Sequence, residues 1–167
     1  MNIEMRQSPE DFSLVAEALK SLAAKTLKVG LPPSKGEGLL FVLAIQEHGS
    51  PVNRIPARPV VRPALYSAEV RSEMAEAMLG AVEATWNGDE AGATAGLEAA
   101  GKAGADGIRA YIDKGVSPPN SPITVSGGWM RNRVSGKPVH IPGKGASRPL
   151  IDSGALYNAF DFEIDEG

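Results

Sequence analysis

The stretch at residues 145–164, "GASRPLIDSGALYNAFDFEI", decides between an all-helical chain and a mixed one. Its last part alternates. Phe160, Phe162 and Ile164 fall on one side, and Asp161, Glu163 and Asp165 on the other. A period of two belongs to a strand with one face buried. Ahead of it, Pro149 fixes the backbone, Leu150 and Ile151 offer apolar contact, and Asp152 is placed to cap a short helix over residues 153–158. A strand at this end of the chain needs a partner. "NIEMRQ" (residues 2–7) alternates weakly and "TLKVGL" (residues 26–31) more clearly. The expectation is one α+β domain over residues 1–167. A small, mostly antiparallel sheet drawn from the two termini packs against an N-terminal helix and a long helical hairpin.

The helices follow from spacing. In "SPED", Ser8 can cap, Pro9 suits the first helical position, and Glu10 and Asp11 favour the positive end of the dipole. Phe12, Val15, Leu19 and Leu22 then make one apolar stripe, predicting a helix over residues 8–25. "LLFVLAIQEHG" (residues 39–49) is a continuous apolar run up to its end, which by period alone fits a helix or a buried strand; Glu47-His48-Gly49, which looks like a C-terminal cap, favours a short helix. From Ala64 onward, Val70, Met74, Ala77/Met78, Ala81/Val82 and Trp86 form one face. "NGD" (residues 87–89) ends that helix and starts the next: Gly88 supplies a left-handed turn and Asp89 a cap. The second helix runs to about Lys114, with Leu97, Ile108, Tyr111 and Ile112 as its large apolar residues. It also holds Gly92, Gly96, Gly101, Gly104 and Gly107, each costing about 0.8–1 kcal/mol relative to Ala. Two explanations stand open. The helix is weak and held by its neighbours, or Gly96, Ala100, Ala103/Gly104 and Gly107 let another backbone approach, within the fold or from a second subunit.

Composition narrows the function classes. The chain has 167 residues, 43% apolar and 22% charged, which suits a globular domain. A net charge of −3 argues against general affinity for nucleic-acid phosphates. Without cysteine there are no disulfides, thiolate metal sites or cysteine nucleophiles. No apolar run reaches the length of a membrane span, and "MNIEMRQSPEDF" carries charges where a signal peptide needs its apolar region.

Two segments resist regular structure. "SPVNRIPARPVVRP" (residues 50–63) has four prolines in fourteen residues, so it reads as a stiff extended arm and not as a central strand or helix interior. Residues 117–149 read as a long loop excursion. It is cationic through Arg131, Arg133, Lys137, Lys144 and Arg148, and Trp129, Met130 and Val134 have no evident partner. Burying a large apolar side chain contributes roughly 1.5–3 kcal/mol. The loop is therefore expected to order on a neighbour with Trp129 as its anchor.

Catalytic constellations are not apparent. "GKGAS" (residues 143–147) lacks the spacing of a phosphate loop, no "GxSxG" elbow is present, and His48 and His140 lie far apart. The carboxylates Asp152, Asp161, Glu163, Asp165 and Glu166 read as a solvated acidic tail. No cofactor or metal ligand set is read from the sequence.

Two linked motifs carry a resemblance. "AIQEHGSPVNRIPARPVVRPAL" (residues 44–65) and "RPLIDSGALYNAFDFEI" (residues 148–164), with a helical region and a loop between them, resemble the small neck proteins of long-tailed bacteriophages. These are tail-completion or head–tail joining proteins grouped with phage virion morphogenesis proteins, lambda Z-like and Mu G-like. Val60 and Val61 stand where that family often has an aromatic residue and Leu, Ala155 where Arg is common, and Tyr157 where Arg or Lys is common. The resemblance implies a non-catalytic structural virion protein that forms a homo-oligomeric ring, six-fold rather than twelve-fold, at the head–tail junction. It would complete the tail and contact neighbouring neck, portal-side and tail proteins, while DNA passes through without sequence-specific binding. It would assemble in the host cytoplasm, with no membrane involved. Arg58, Pro59, Arg62, Trp129, Met130, Arg131 and Arg133 are the expected inter-subunit or partner contacts. Arg58 and Arg62 are expected to pair with carboxylates, and their joint loss to leave the fold intact. A head-closure adaptor on the portal side is the alternative in the same setting. A small hydrolase or nucleic-acid-binding protein is the alternative from another class.

Overall fold

A computed structural model describes residues 9–132, 135–145, 149–151 and 153–166, with side chains from Phe12 onward. The expected first strand at residues 2–7, the caps at Ser8 and Asp152, and Arg133, Val134 and Arg148 lie outside the described residues. The order is α1 (Pro9–Ala24), β1 (Thr26–Gly30), a single 3-10 turn (Pro33–Lys35), α2 (Glu37–His48), α3 (Val61–Leu65), α4 (Ala68–Trp86), α5 (Glu90–Asp113), α6 (Pro122–Ser126), β2 (Gly128–Arg131), β3 (Pro138–Ile141), α7 (Ala155–Ala159) and β4 (Asp161–Asp165). The class is α+β.

The strands at the two ends of the chain pair as their alternation requires. β1 and β4 run antiparallel, with Leu27 opposite Ile164 and Val29 opposite Phe162. Directly opposed residues share a face, so these four turn one way and Lys28 and Glu163 the other. The acidic residues are not a free tail. Lys35 Nζ lies 2.9 Å from Asp161, Lys25 Nζ lies 3.3 Å from Glu166, Lys28 pairs with Asp165, and Ser34 donates to Glu163 at 3.4 Å. The Lys35 contact, helped by the Phe162 N–H, holds the Asp161 carboxyl below its ordinary value.

The helical hairpin forms around its turn as expected. Gly88 adopts φ 75°, and the Asp89 carboxylate accepts from Gly92 N at 2.9 Å. Facing positions run in opposite senses along the two helices: Ala84 by Gly92, Ala81 by Gly96, Val70 by Gly107. At Gly96 a methyl group would stand 2.7 Å from the backbone nitrogen of Ala81. The small-residue stripe is thus used within the fold, to bring α4 against α5. At Gly101 a methyl group would collide with the Phe162 ring, and at Gly104 it would meet Val29 at 2.9 Å, so the β1–β4 pair closes on α5 from another side.

This packing keeps Val70 and Ala81 of the expected α4 face inside and corrects the rest of it. The buried residues are Val70, Ala81 and Thr85, while Met78, Val82 and Trp86 are exposed. Large side chains do not fit where two helix backbones nearly touch. The Thr85 hydroxyl is satisfied by Ala81 O at 2.8 Å. The large apolar residues gather instead beside the C-terminal half of α5. There Val60, Ala64, Ile108, Ile112, Leu156 and Phe160 form the core cluster.

The two segments expected to be irregular carry structure. α3 begins at Val61, inside the proline-rich arm, and Pro63 falls in its first turn, where an N–H has no helical acceptor to lose. The loop at residues 117–149 contains α6 and an antiparallel hairpin, β2–β3, with Trp129 opposite His140 and Met130 opposite Val139. Gly127 and Gly143 cross at close range: a methyl group on either would lie 2.6 Å from the other's backbone nitrogen. The "GKG" glycine therefore serves chain packing. α7 begins at Ala155 behind a left-handed Gly154, two residues later than expected.

Two glycine substitutions separate propensity from packing. A methyl group on Gly80 in α4 would meet no atom within 4 Å, so Gly80→Ala should stabilise by about 0.8–1 kcal/mol. Gly96→Ala should destabilise by about 1–3 kcal/mol, because the helices must part. Paired denaturant melts check the opposite signs. Equal signs would contradict the close approach.

Candidate functional site

The proline-rich arm has no ladder of its own, so its polar backbone groups need partners elsewhere. They find them at the C-terminal end of α2. Gly49 ends α2 at φ 74°, and a side chain there would strike Ala57 N and Ile55 O at 2.8 Å. The arm returns across this glycine. Ser50 and Ile55 bridge, and Arg58 N donates to Gln46 O at 2.5 Å. The Glu47 carboxylate then accepts from Val60 N at 2.7 Å and Val61 N at 2.8 Å, holding the N-terminus of α3. A carboxylate there satisfies orphan donors and faces the positive end of the helix. Glu47 was not among the expected site residues. The signal was present: a carboxylate beside a glycine cap, followed by a segment rich in prolines.

Arg58 is the centre of this clasp and is only 6% exposed. Its Nε donates to Pro118 O at 2.6 Å and a terminal nitrogen to Pro119 O at 3.0 Å. The other terminal nitrogen reaches Gln46 Oε1 at 3.4 Å. Burial pushes the guanidinium below its ordinary value. The expected carboxylate partner is thus corrected: Arg58 is held by carbonyls of its own chain, because the arm folds inward and Val60 enters the core. Arg62 behaves differently. It is exposed in α3 and lies over the Tyr66 ring, 5.5 Å from its centroid. Pro59 is exposed between the two buried residues Arg58 and Val60.

The clasp forms one wall of an open groove of about 650 Å³. α2 contributes Leu39 and Val42, α6 contributes Ile123, the β2–β3 hairpin contributes Met130 and Ile141, and the turn before α7 contributes Leu150. Among the described residues, no group of three His, Asp or Glu is placed to hold a metal, and no helix is long and apolar enough to cross a membrane.

Large apolar side chains are exposed around the groove. α2 has no fully buried residue, although its run from Leu39 to Ile45 is entirely apolar; Phe41 is 67% exposed. Trp129, 71% exposed, stacks edge-on against His140 with ring centroids 5.2 Å apart. Met130 and Arg131 are exposed on the same strand. The structure therefore brings Trp129, Met130 and Arg131 together on one hairpin, sets Met130 and Arg58 on the lining of the same groove, and leaves Arg62 outside it on α3.

No known family, curated protein or solved structure matches this chain at a significant level.

Because Arg58 is internal, its removal is a stability change. Arg58→Ala should lower stability by about 2–4 kcal/mol through stranded carbonyls and a lost charged donor. Arg62→Ala should cost about 0.5–1 kcal/mol, the scale of an exposed cation–π contact. Thermal unfolding of the two single variants reads the difference, and equal small effects would contradict the clasp.

Proposed function

We propose that this chain is a structural virion protein of the phage neck, forming a ring at the head–tail junction that completes the tail and joins it to the head. The observation that carries this reading is apolar surface on several separate elements. Phe12 and Leu14 on α1, Phe41 and Val42 on α2, Leu79 and Trp86 on α4, and Trp129 and Val139 on the hairpin are all exposed. Single exposed apolar residues are ordinary, but several on one element, as on α1, α2 and α4, make local apolar patches of the kind that mark contact surfaces. A two-fold dimer covers one face. A ring subunit needs lateral faces for its own copies and axial faces for the next components of the neck.

The motif order supports the same reading, and the geometry gives the first motif a physical role. In "EHG…IPARPVVRP", Glu47, Gly49 and Arg58 lock the arm onto α2, so that α2 offers its apolar side from a fixed mount. The function is binding, and it needs no reacting group.

The test charges that side. In Phe41→Glu with Val42→Lys, both changed positions are exposed, so stability should move by no more than about 0.5 kcal/mol. Complementation of a tailed phage deleted for this chain should fall by at least about tenfold, leaving filled heads and separate tails under the electron microscope. Full complementation by the double variant would overturn the reading.

A further inference from the structure

The hairpin and α4 carry surfaces that match each other in chemistry. Paired strand residues share a face. Trp129, opposite His140, and Arg131, opposite Pro138, therefore make one plate, while Met130, Val139 and Ile141 turn to the other side, where Met130 and Ile141 line the groove. The plate is aromatic and cationic, and Lys137 directly precedes β3 in the sequence. The His140 ring lies edge-on to the Trp129 indole on this plate.

On α4, residues Glu76, Leu79, Glu83 and Trp86 recur at spacings of three and four, so they share one side of the helix. That side lies away from Val70, Ala81 and Thr85, which are buried. Leu79 is 62% and Trp86 54% exposed, and Val82 is exposed next to them. Among the described residues, neither Glu83 nor Arg131 has an ion-pair partner. One surface is apolar with acidic flanks, and the other is aromatic with basic flanks. Opposite charge at an interface fixes register and suppresses wrong partners.

We propose that the Trp129–His140–Arg131 plate of one copy docks on the Leu79–Glu83–Trp86 side of α4 in the next copy, as the lateral contact of the ring. This rests on the neck-ring reading and names its interface. The two surfaces lie on different elements of the same chain, so the contact is head-to-tail, and repeating it generates a closed ring or an open filament. The acidic flank of α4 favours a second copy over nucleic acid, as does the chain's net charge of −3.

The chain has no cysteine, so placed thiols report without background. Trp129→Cys and Leu79→Cys change exposed positions, and each full-length variant is purified and concentrated. With a short bis-maleimide, a mixture of the two single variants should give a covalent dimer, and neither variant alone should. The chain carrying both cysteines should give a ladder of oligomers. Arg131→Glu should weaken self-association about tenfold, Glu83→Arg likewise, and the two together should restore it. Oligomers that form without the mixed cross-link, or a Trp129→Cys chain that cross-links to itself, would overturn this interface and leave the ring reading standing. No association at any concentration would overturn both. Retention of the full chain by duplex DNA, lost in Arg131→Glu while self-association is unchanged, would assign the plate to nucleic acid and end the proposal.

Discussion

The close approach of other chain segments to the backbone of α5 is the constraint on which the fold depends. Gly96 admits the backbone of α4, and Gly101 and Gly104 admit Phe162 and Val29 from the β1–β4 pair. Each glycine costs helix propensity, and the tight contacts it permits offset that cost through dispersion and burial. The consequence reaches the surface. Where α4 meets α5 the backbone of Ala81 lies against Gly96 and leaves no room for a large side chain, and Leu79, Val82 and Trp86 are exposed. The apolar exterior of α4 follows from the way α5 is packed.

The arm depends on a second arrangement at the other end of α5. Val60 and Ala64 reach the core cluster beside Ile108 and Ile112 only because Arg58 and Glu47 satisfy the backbone around them. A buried guanidinium is tolerated where carbonyls replace its water. Arg58 also ties the arm to Pro118 and Pro119, the start of the segment that carries α6 and the hairpin. One side chain thus links α2, the arm and the base of the hairpin. Tyr157 adds a further tether, its hydroxyl donating to Asp113 at 2.7 Å and so fastening α7 to the end of α5.

The strand pair, the helical hairpin and its "NGD" turn are legible in the sequence because each rests on local period and cap chemistry. The α2 helix is legible through its glycine cap. The face of α4 is legible only in part, since hydrophobicity favours Trp86 and Val82 while the close approach of Gly96 selects Ala81. The arm's inward course is hidden because prolines report stiffness and not direction. Arg58 reads as a surface cation until its three carbonyl acceptors, which lie in distant parts of the chain, are placed beside it. The hairpin is hidden for a related reason: β2 and β3 are four residues each, too short for alternation to stand out among glycines and prolines. Trp129 and Met130 stand out in the sequence for want of a visible partner, and both are exposed.

Large apolar side chains that the single chain leaves in water, and that the proposed ring would cover, are central to this view of the molecule. Both tryptophans, Trp86 and Trp129, are such residues. Tryptophan emission with iodide quenching, followed across a dilution series of the full-length chain, tests this directly. The expected result is red-shifted, fully quenchable emission in the dilute chain, with a blue shift and loss of quenching as oligomers form. Blue-shifted, shielded emission from the dilute monomer, or association that leaves both tryptophans as quenchable as before, would contradict it.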